Sequence, residues 1–316
     1  MTCQTSTTRR AFLGHGLSLA GAALAAPALL CDRAEAAERE TGAEKPAGWQ
    51  IGCFTRPWDE HDYRVALDAI AEAGFKHAGL MTAKDPRLVI SVDTTPEEAG
   101  EIGREVHKRG MTVPCTYGGR FNVRESLEAG IAGLRRLIDN CAAAESAALM
   151  LGGIGNEKLF DDYYKAVAEC CDYAAEKRVG MVLKPHGGKN ATGPQLREIV
   201  KRVNHPSFTL WYDPGNILHY SDGRLDPVDD APSVAGLVTG MCIKDFRITE
   251  QNGKPRKEVM IDPGTGRVRF PEVMAKLRQG GFTAGPLVIE CLARGELPEL
   301  LAGAKRAREF VEGLVA

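Results

Sequence analysis

From residue 49 to the C-terminus, apolar positions follow two alternating rhythms. Short continuous apolar runs are separated by longer stretches in which apolar residues recur at helical spacing. Trp49–Phe54 reads as a strand. Tyr63–Ala73 carries Val65, Leu67, Ile70 and Ala71 on one helical face and stops before Gly74. His77–Met81 is a second strand. Thr95-Pro96-Glu97-Glu98 opens a helix that runs to Gly110, with Thr95 as cap, Pro96 in the first turn and two acids beside the positive end of the helix dipole. A third strand, Thr112–Tyr117, precedes a helix over Glu125–Ala144. The alternation then repeats with strand Ala148–Leu151 and helix Asp162–Lys177, and with strand Met181–Lys184 and helix Gln195–Val203. Strand Phe208–Tyr212 is followed by a Pro-rich, weakly helical stretch to Leu237. Strand Met241–Lys244 precedes helix Pro271–Gln279, and strand Leu287–Glu290 precedes helix Leu297–Leu314.

Eight strand–helix units of this size predict an α/β fold, a single (β/α)₈ TIM barrel over residues 49–316. Strands written as unbroken apolar runs are those buried on both faces of a parallel sheet. A doubly wound open sheet fits less well, because no Gly-rich phosphate loop follows the first strand. No stretch inside 49–316 has the composition of a linker.

The first 36 residues stand outside this pattern. Thr8-Arg9-Arg10-Ala11-Phe12-Leu13-Gly14, a weakly apolar run to Leu30 and Ala34-Glu35-Ala36 together resemble a twin-arginine (Tat) signal peptide. The resemblance implies export to the periplasm, cleavage after residue 36 and contact with a membrane only during export. Residues 37–48 are polar and read as a short leader before the barrel.

A net charge of −2 excludes the basic footprint of a nucleic-acid binder. Of nine cysteines, seven lie beyond the signal segment. That odd number, at spacings that match neither a disulfide framework nor a zinc ribbon, reads as buried thiols in apolar strands. A chain exported after folding in the cytoplasm retains free thiols without difficulty.

In such a barrel, chemistry sits where the strands end. His186, Asp213, Lys244, Asp245 and Glu290 all follow apolar strands, where an ionisable group is costly unless paired, hydrogen-bonded or metal-bound. Arg56, Trp58, Tyr117 and Asn216 occupy the same rim. Four pieces resemble the xylose-isomerase-like superfamily of sugar isomerases and epimerases: Trp211-Tyr212-Asp213-Pro214-Gly215-Asn216, Ile243-Lys244-Asp245, Asp262-Pro263-Gly264-Thr265-Gly266 with Phe270 beyond it, and Val288-Ile289-Glu290.

The resemblance implies a metal-assisted site with Glu, Asp, His and Glu after strands five to eight. Asp213 and Glu290 match. Lys184 stands in place of the first Glu and Cys242 in place of His, and His186 is the replacement ligand at hand. A divalent ion (Mn, Zn or Mg) is therefore expected on His186, Asp213, Cys242 and Glu290. Glu290 and Lys184 are the expected catalytic residues, and Arg56, Trp58, Tyr117, Asn216, Lys244 and Asp245 the expected sugar-binding ones. The implied reaction is isomerisation or epimerisation of a small sugar through proton removal beside a carbonyl. The same barrel also accommodates a lyase or hydrolase of keto-glycosides, or a non-catalytic carbohydrate-binding role.

Overall fold

The computed structural model describes residues 48–85 and 87–316. The expected signal peptide and nearly all of the leader lie outside the described residues.

Eight parallel strands form one sheet: β1 (Trp49–Phe54), β2 (His77–Gly79), β3 (Thr116–Tyr117), β4 (Ala148–Leu151), β5 (Gly180–Leu183), β6 (Phe208–Tyr212), β7 (Val238–Ile243) and β8 (Gly285–Ile289). Their spatial order is β2-β1-β8-β7-β6-β5-β4-β3. The two ends meet through single parallel bridges, His77 with Thr112 and Leu80 with Thr116, which close the barrel. Around it lie α1 (Tyr63–Glu72), α2 (Pro96–His107), α3 (Leu127–Ala143), α4 (Phe160–Glu176), α5 (Gly193–Val203), the short α6 (Pro214–Tyr220) and α7 (Pro227–Asp230), α8 (Phe270–Gln279) and α9 (Leu297–Val315). The predicted single TIM barrel is what the chain forms.

Local chemistry explains the helix starts. The Thr95 side chain accepts from the Glu98 amide while the Glu98 side chain accepts from the Thr95 amide, a reciprocal cap of two otherwise orphan donors. Asp62 and Ser126 cap α1 and α3 from one side only, their side chains accepting the Arg64 and Ala129 amides.

Among the differences from expectation, two are the largest. The third strand shrinks to Thr116–Tyr117 because Pro114 has no amide to give to a ladder. An antiparallel hairpin, Arg247–Gln251 with Lys254–Glu258, rises after β7 where no strand was expected. Its residues are mostly charged and exposed, so it has no apolar run.

Inside the barrel, Phe54, Met81, Cys115, Met150, Val182, Trp211, Cys242 and Val288 fill a buried layer. Glycine makes room where rings enter. A methyl group on Gly240 would stand 2.4 Å from the Trp211 ring.

Candidate functional site

Strand side chains alternate in direction, so residues two apart share a face. Val182, Trp211, Cys242 and Val288 point inward in the apolar layer. Two positions on, at the strand ends, stand Lys184, Asp213, Lys244 and Glu290. The sequence thus stacks a layer of four charged side chains on the apolar one, at the C-terminal mouth. All four are buried, none more than 3 % exposed.

Glu290 is the hub. Its Oε2 lies 2.5 Å from Lys184 Nζ, and its Oε1 lies 2.6 Å from Lys244 Nζ and 2.5 Å from the Arg56 guanidinium. Asp213 Oδ2 faces the same two ammonium groups at 3.5 and 3.6 Å. Its Oδ1 accepts the Asn216 amide at 2.8 Å and so caps α6. Three cations thus surround two carboxylates. Burial alone would raise the Glu290 carboxyl, but Lys184, Lys244 and Arg56 outweigh it and hold Glu290 well below the usual range. Burial opposes the Lys184 and Lys244 ammonium groups too, and the two carboxylates overcome it, so both lysines stay protonated. Asp213 is shifted up, chiefly by burial, with the nearby ammonium groups offsetting part of this.

The other expected site residues divide. Tyr117 is half-buried at the mouth, and Lys184 Nζ stands 5.7 Å over its ring. Asn216 is buried and bridges three elements: it takes a hydrogen bond from Lys244 at 3.0 Å and donates one to the Pro185 carbonyl at 2.7 Å. It positions Lys244 rather than meeting a ligand. Two expectations are corrected. Trp58, expected to bind sugar, is fully buried in the core. Asp245, expected likewise, is fully buried and accepts amides from Phe246, Val268, Gly264 and Gly266 at 2.7, 3.0, 3.0 and 2.8 Å. It follows Lys244 by one residue, faces away from the barrel axis, and ties down its own loop.

The expected metal ligands also divide. Asp213, Cys242 and Glu290 bring donor atoms within 4.8 Å of one another. His186 is not part of that group. Its backbone amide bonds to the Asn190 carbonyl, and its ring turns to Tyr117 and Tyr220, 6.4 and 5.4 Å away. Burial and the two lysine ammonium groups push its imidazole well below its usual range. The ring nevertheless borders open space, so water relieves part of that desolvation while the charges behind it keep the ring neutral. Cys242 is a thiol driven far up by burial.

This donor set does not fit a dication. Both oxygens of Glu290 are already bound to ammonium groups, and a metal beside Lys184 and Lys244 would add like charge to a cluster that is already net positive.

Tyr220 was not anticipated. It lies one helical turn beyond Asn216 on α6, and that spacing was the available sign.

A family model described as "Xylose isomerase-like TIM barrel" matches residues 67–314. No curated protein matches the chain. Three solved structures are similar in fold. A xylose isomerase domain protein from Planctomyces limnophilus has 21 % identity and a TM-score of 0.66, over 84 % of this chain and 97 % of that one. D-psicose 3-epimerase with D-tagatose from Clostridium cellulolyticum H10 has 14 % identity and a TM-score of 0.64, over 84 % and 99 %. A xylose isomerase-like TIM barrel protein from Mycobacterium smegmatis in complex with magnesium has 16 % identity and a TM-score of 0.64, over 85 % and 98 %.

Proposed function

This chain belongs to the xylose isomerase-like TIM-barrel family, and we propose that it isomerises or epimerises a small carbonyl sugar with Lys184 and Lys244 as its electrostatic centre. The observation that carries this reading is the grip of two buried ammonium groups on the two oxygens of Glu290 at 2.5 and 2.6 Å, at the strand ends where barrel enzymes work. The relatives named as sugar epimerases support the reaction class.

A sugar carbonyl oxygen that enters between the lysines takes over the hydrogen bonds Glu290 now accepts. Glu290, relieved of them, regains proton affinity and serves as base. The C–H bond beside the carbonyl breaks, its proton goes to Glu290, its electron pair forms a C=C bond, and the carbonyl oxygen becomes an oxyanion held by the ammonium groups. Return of the proton to the former carbonyl carbon, with the adjacent hydroxyl proton passing to the oxyanion, isomerises the sugar. Epimerisation instead needs a second acid, such as water at the mouth, to protonate the original carbon on its other face, with Glu290 giving its proton back to solvent. Arg56, whose side chain is 27 % exposed, is the member of the cluster open to the mouth.

The test is solvent exchange. In D₂O with excess chelator, a panel of ketoses and aldoses is followed by NMR for deuterium at the carbon beside the carbonyl. Exchange is expected in the parent, and Lys184→Met should slow it by roughly 10²–10³, the usual loss for one stabiliser of developing charge. Exchange only after adding manganese, zinc or magnesium would overturn the lysine-centred reading in favour of a metal. A second reading is favoured by burial. Asp213 at 0 % and Glu290 at 1 % exposure suit a non-catalytic carbohydrate-binding barrel in which the ion pairs replace a lost site. Sugar binding with no exchange for any sugar would support it. The Arg9-Arg10 pair supports placing either role outside the cytoplasm.

A further inference from the structure

Beside the charged layer, a cavity of about 500 Å³ opens between the loop after β3 and the loop after β4. That volume lies in the range of clefts that enclose whole small ligands. Tyr117 and His186 are shared between this cavity and the mouth, so the two spaces adjoin. Its shape depends on close backbone approaches. A methyl group on Gly152 would lie 3.0 Å from the Tyr117 hydroxyl, and Gly153 takes φ +71° against the Asn190 side chain.

Two features of its wall are unspent. Tyr163 lines it and is 3 % exposed, yet its hydroxyl has no hydrogen-bond partner of sound geometry among the described residues. The Gly153 amide lies near it as a donor, which leaves the phenolic proton without an acceptor. A buried, unmatched hydroxyl of this kind is costly. Packing holds it there, with Phe121 at 4.6 Å and Tyr164 at 5.0 Å from its ring. Arg120 and Arg124 line the same cavity, and neither has an ion-pair partner among the described residues. Glu125 is the one carboxylate of the lining.

We propose that this cavity is a second subsite, and that Arg120, Arg124 and Tyr163 receive an oxyanion substituent, carboxylate or phosphate, on the part of the sugar remote from the reacting carbonyl. The chemistry is complementary: an oxyanion accepts several hydrogen bonds at once, guanidinium forks match it in pairs, and the phenolic proton of Tyr163 gains the acceptor it lacks. A neutral sugar answers only the last of these. The proposal rests on the sugar reading of the adjoining mouth.

Equilibrium binding, which needs no turnover, tests it. The probes are D-glucuronate, D-glucose 6-phosphate, D-glucose and inorganic phosphate, titrated by calorimetry into the whole protein. One or both anionic sugars should bind at least roughly tenfold tighter than glucose, the size of one charge-assisted hydrogen bond or more. The glucuronate and glucose phosphate arms tell carboxylate from phosphate. Arg120→Gln with Arg124→Gln should erase the preference while leaving glucose affinity and the melting temperature unchanged. Tyr163→Phe should weaken the anionic sugar by about tenfold or less, and its melting temperature reports whether the fold survives. Equal affinity for charged and neutral sugars would overturn the subsite and leave the sugar reading standing. A preference that survives the arginine double variant but disappears in Arg56→Gln would overturn it too, by placing the anion on the charged layer. Tight inorganic phosphate lost in the double variant, with no sugar bound, would uphold the anion site and sink the sugar reading. Failure of all four probes to bind would overturn both.

Discussion

Glu290 shows how much rests on one side chain. It is nearly sealed from water and satisfies Lys184, Lys244 and Arg56 together. Removing one partner of a buried ionic group leaves the others uncompensated, at a cost of roughly 3–5 kcal/mol. Glu290→Ala should therefore lower stability by about that amount in urea unfolding at neutral pH. The pH dependence has a definite sign. Because the folded protein holds Glu290 below its ordinary range, the carboxylate stabilises above the unfolded value of 4.5, and this contribution fades as pH falls through the folded value. Asp213, shifted up, works the other way and stabilises more as pH falls. The parent should lose stability steeply on acidification below 4.5, and Glu290→Gln should flatten that slope. Parallel slopes in the two proteins would remove Glu290 from the account. The charged rim residues were legible in the sequence, since apolar strands ended in ions. Their mutual pairing was not, because Lys184 and Glu290 meet across 106 positions of chain. The two-residue period could have gone further: it puts Lys244 with Cys242 on the inner face and turns Asp245 away.

Among elements, the segment after β7 gives the clearest case. Asp245 gathers four backbone amides from its own loop and from the Asp262-Pro263-Gly264-Thr265-Gly266 turn. Gly266 is required there, since a methyl group on it would fall 2.3 Å from an Asp245 oxygen. Asp245→Ala strands those buried donors and should cost several kcal/mol, roughly 2–5. The loop's amides should then exchange with deuterium far faster than those of β8. Unchanged protection would show that the turn holds itself. In sequence this motif carries only a family resemblance, and its physical work shows once the amides are placed. The barrel strands were legible as apolar runs. The hairpin was not, because Lys254, Arg256, Lys257 and Glu258 offer no apolar face; only Asn252-Gly253, both with positive φ, marked its turn. The apolar run overstates strand β3, because Val113 extends the pattern while Pro114 has no amide for the ladder.

At the scale of the whole molecule, paired Arg9 and Arg10 lie ahead of a chain that packs as a barrel from Trp49 onward. If they direct export of the folded protein, changing both to Lys should leave full-length protein in the cytoplasm and none processed in the periplasm, as judged by fractionation and mass. Normal processing of that variant would defeat the reading.

The barrel is a ring with a clasp. Seven of its eight joints are registered strand pairs, while β2 and β3 meet at the single bridges His77–Thr112 and Leu80–Thr116, fastened by backbone hydrogen bonds such as Ala78 to the Thr112 carbonyl at 2.9 Å and Tyr117 to the Leu80 carbonyl at 2.8 Å. β3, with two residues the shortest strand of the ring, has two registered pairs to β4 and single bridges to β2, so thermal breathing should start around it and spread last to the β8–β1 joint, which has the longest register. Lys184, Lys244 and Glu290 directly follow β5, β7 and β8, across the ring from the clasp. If breathing starts around β3, the charged hub rides on the half of the barrel that opens last, and the cavity beside β3 borders the half that opens first.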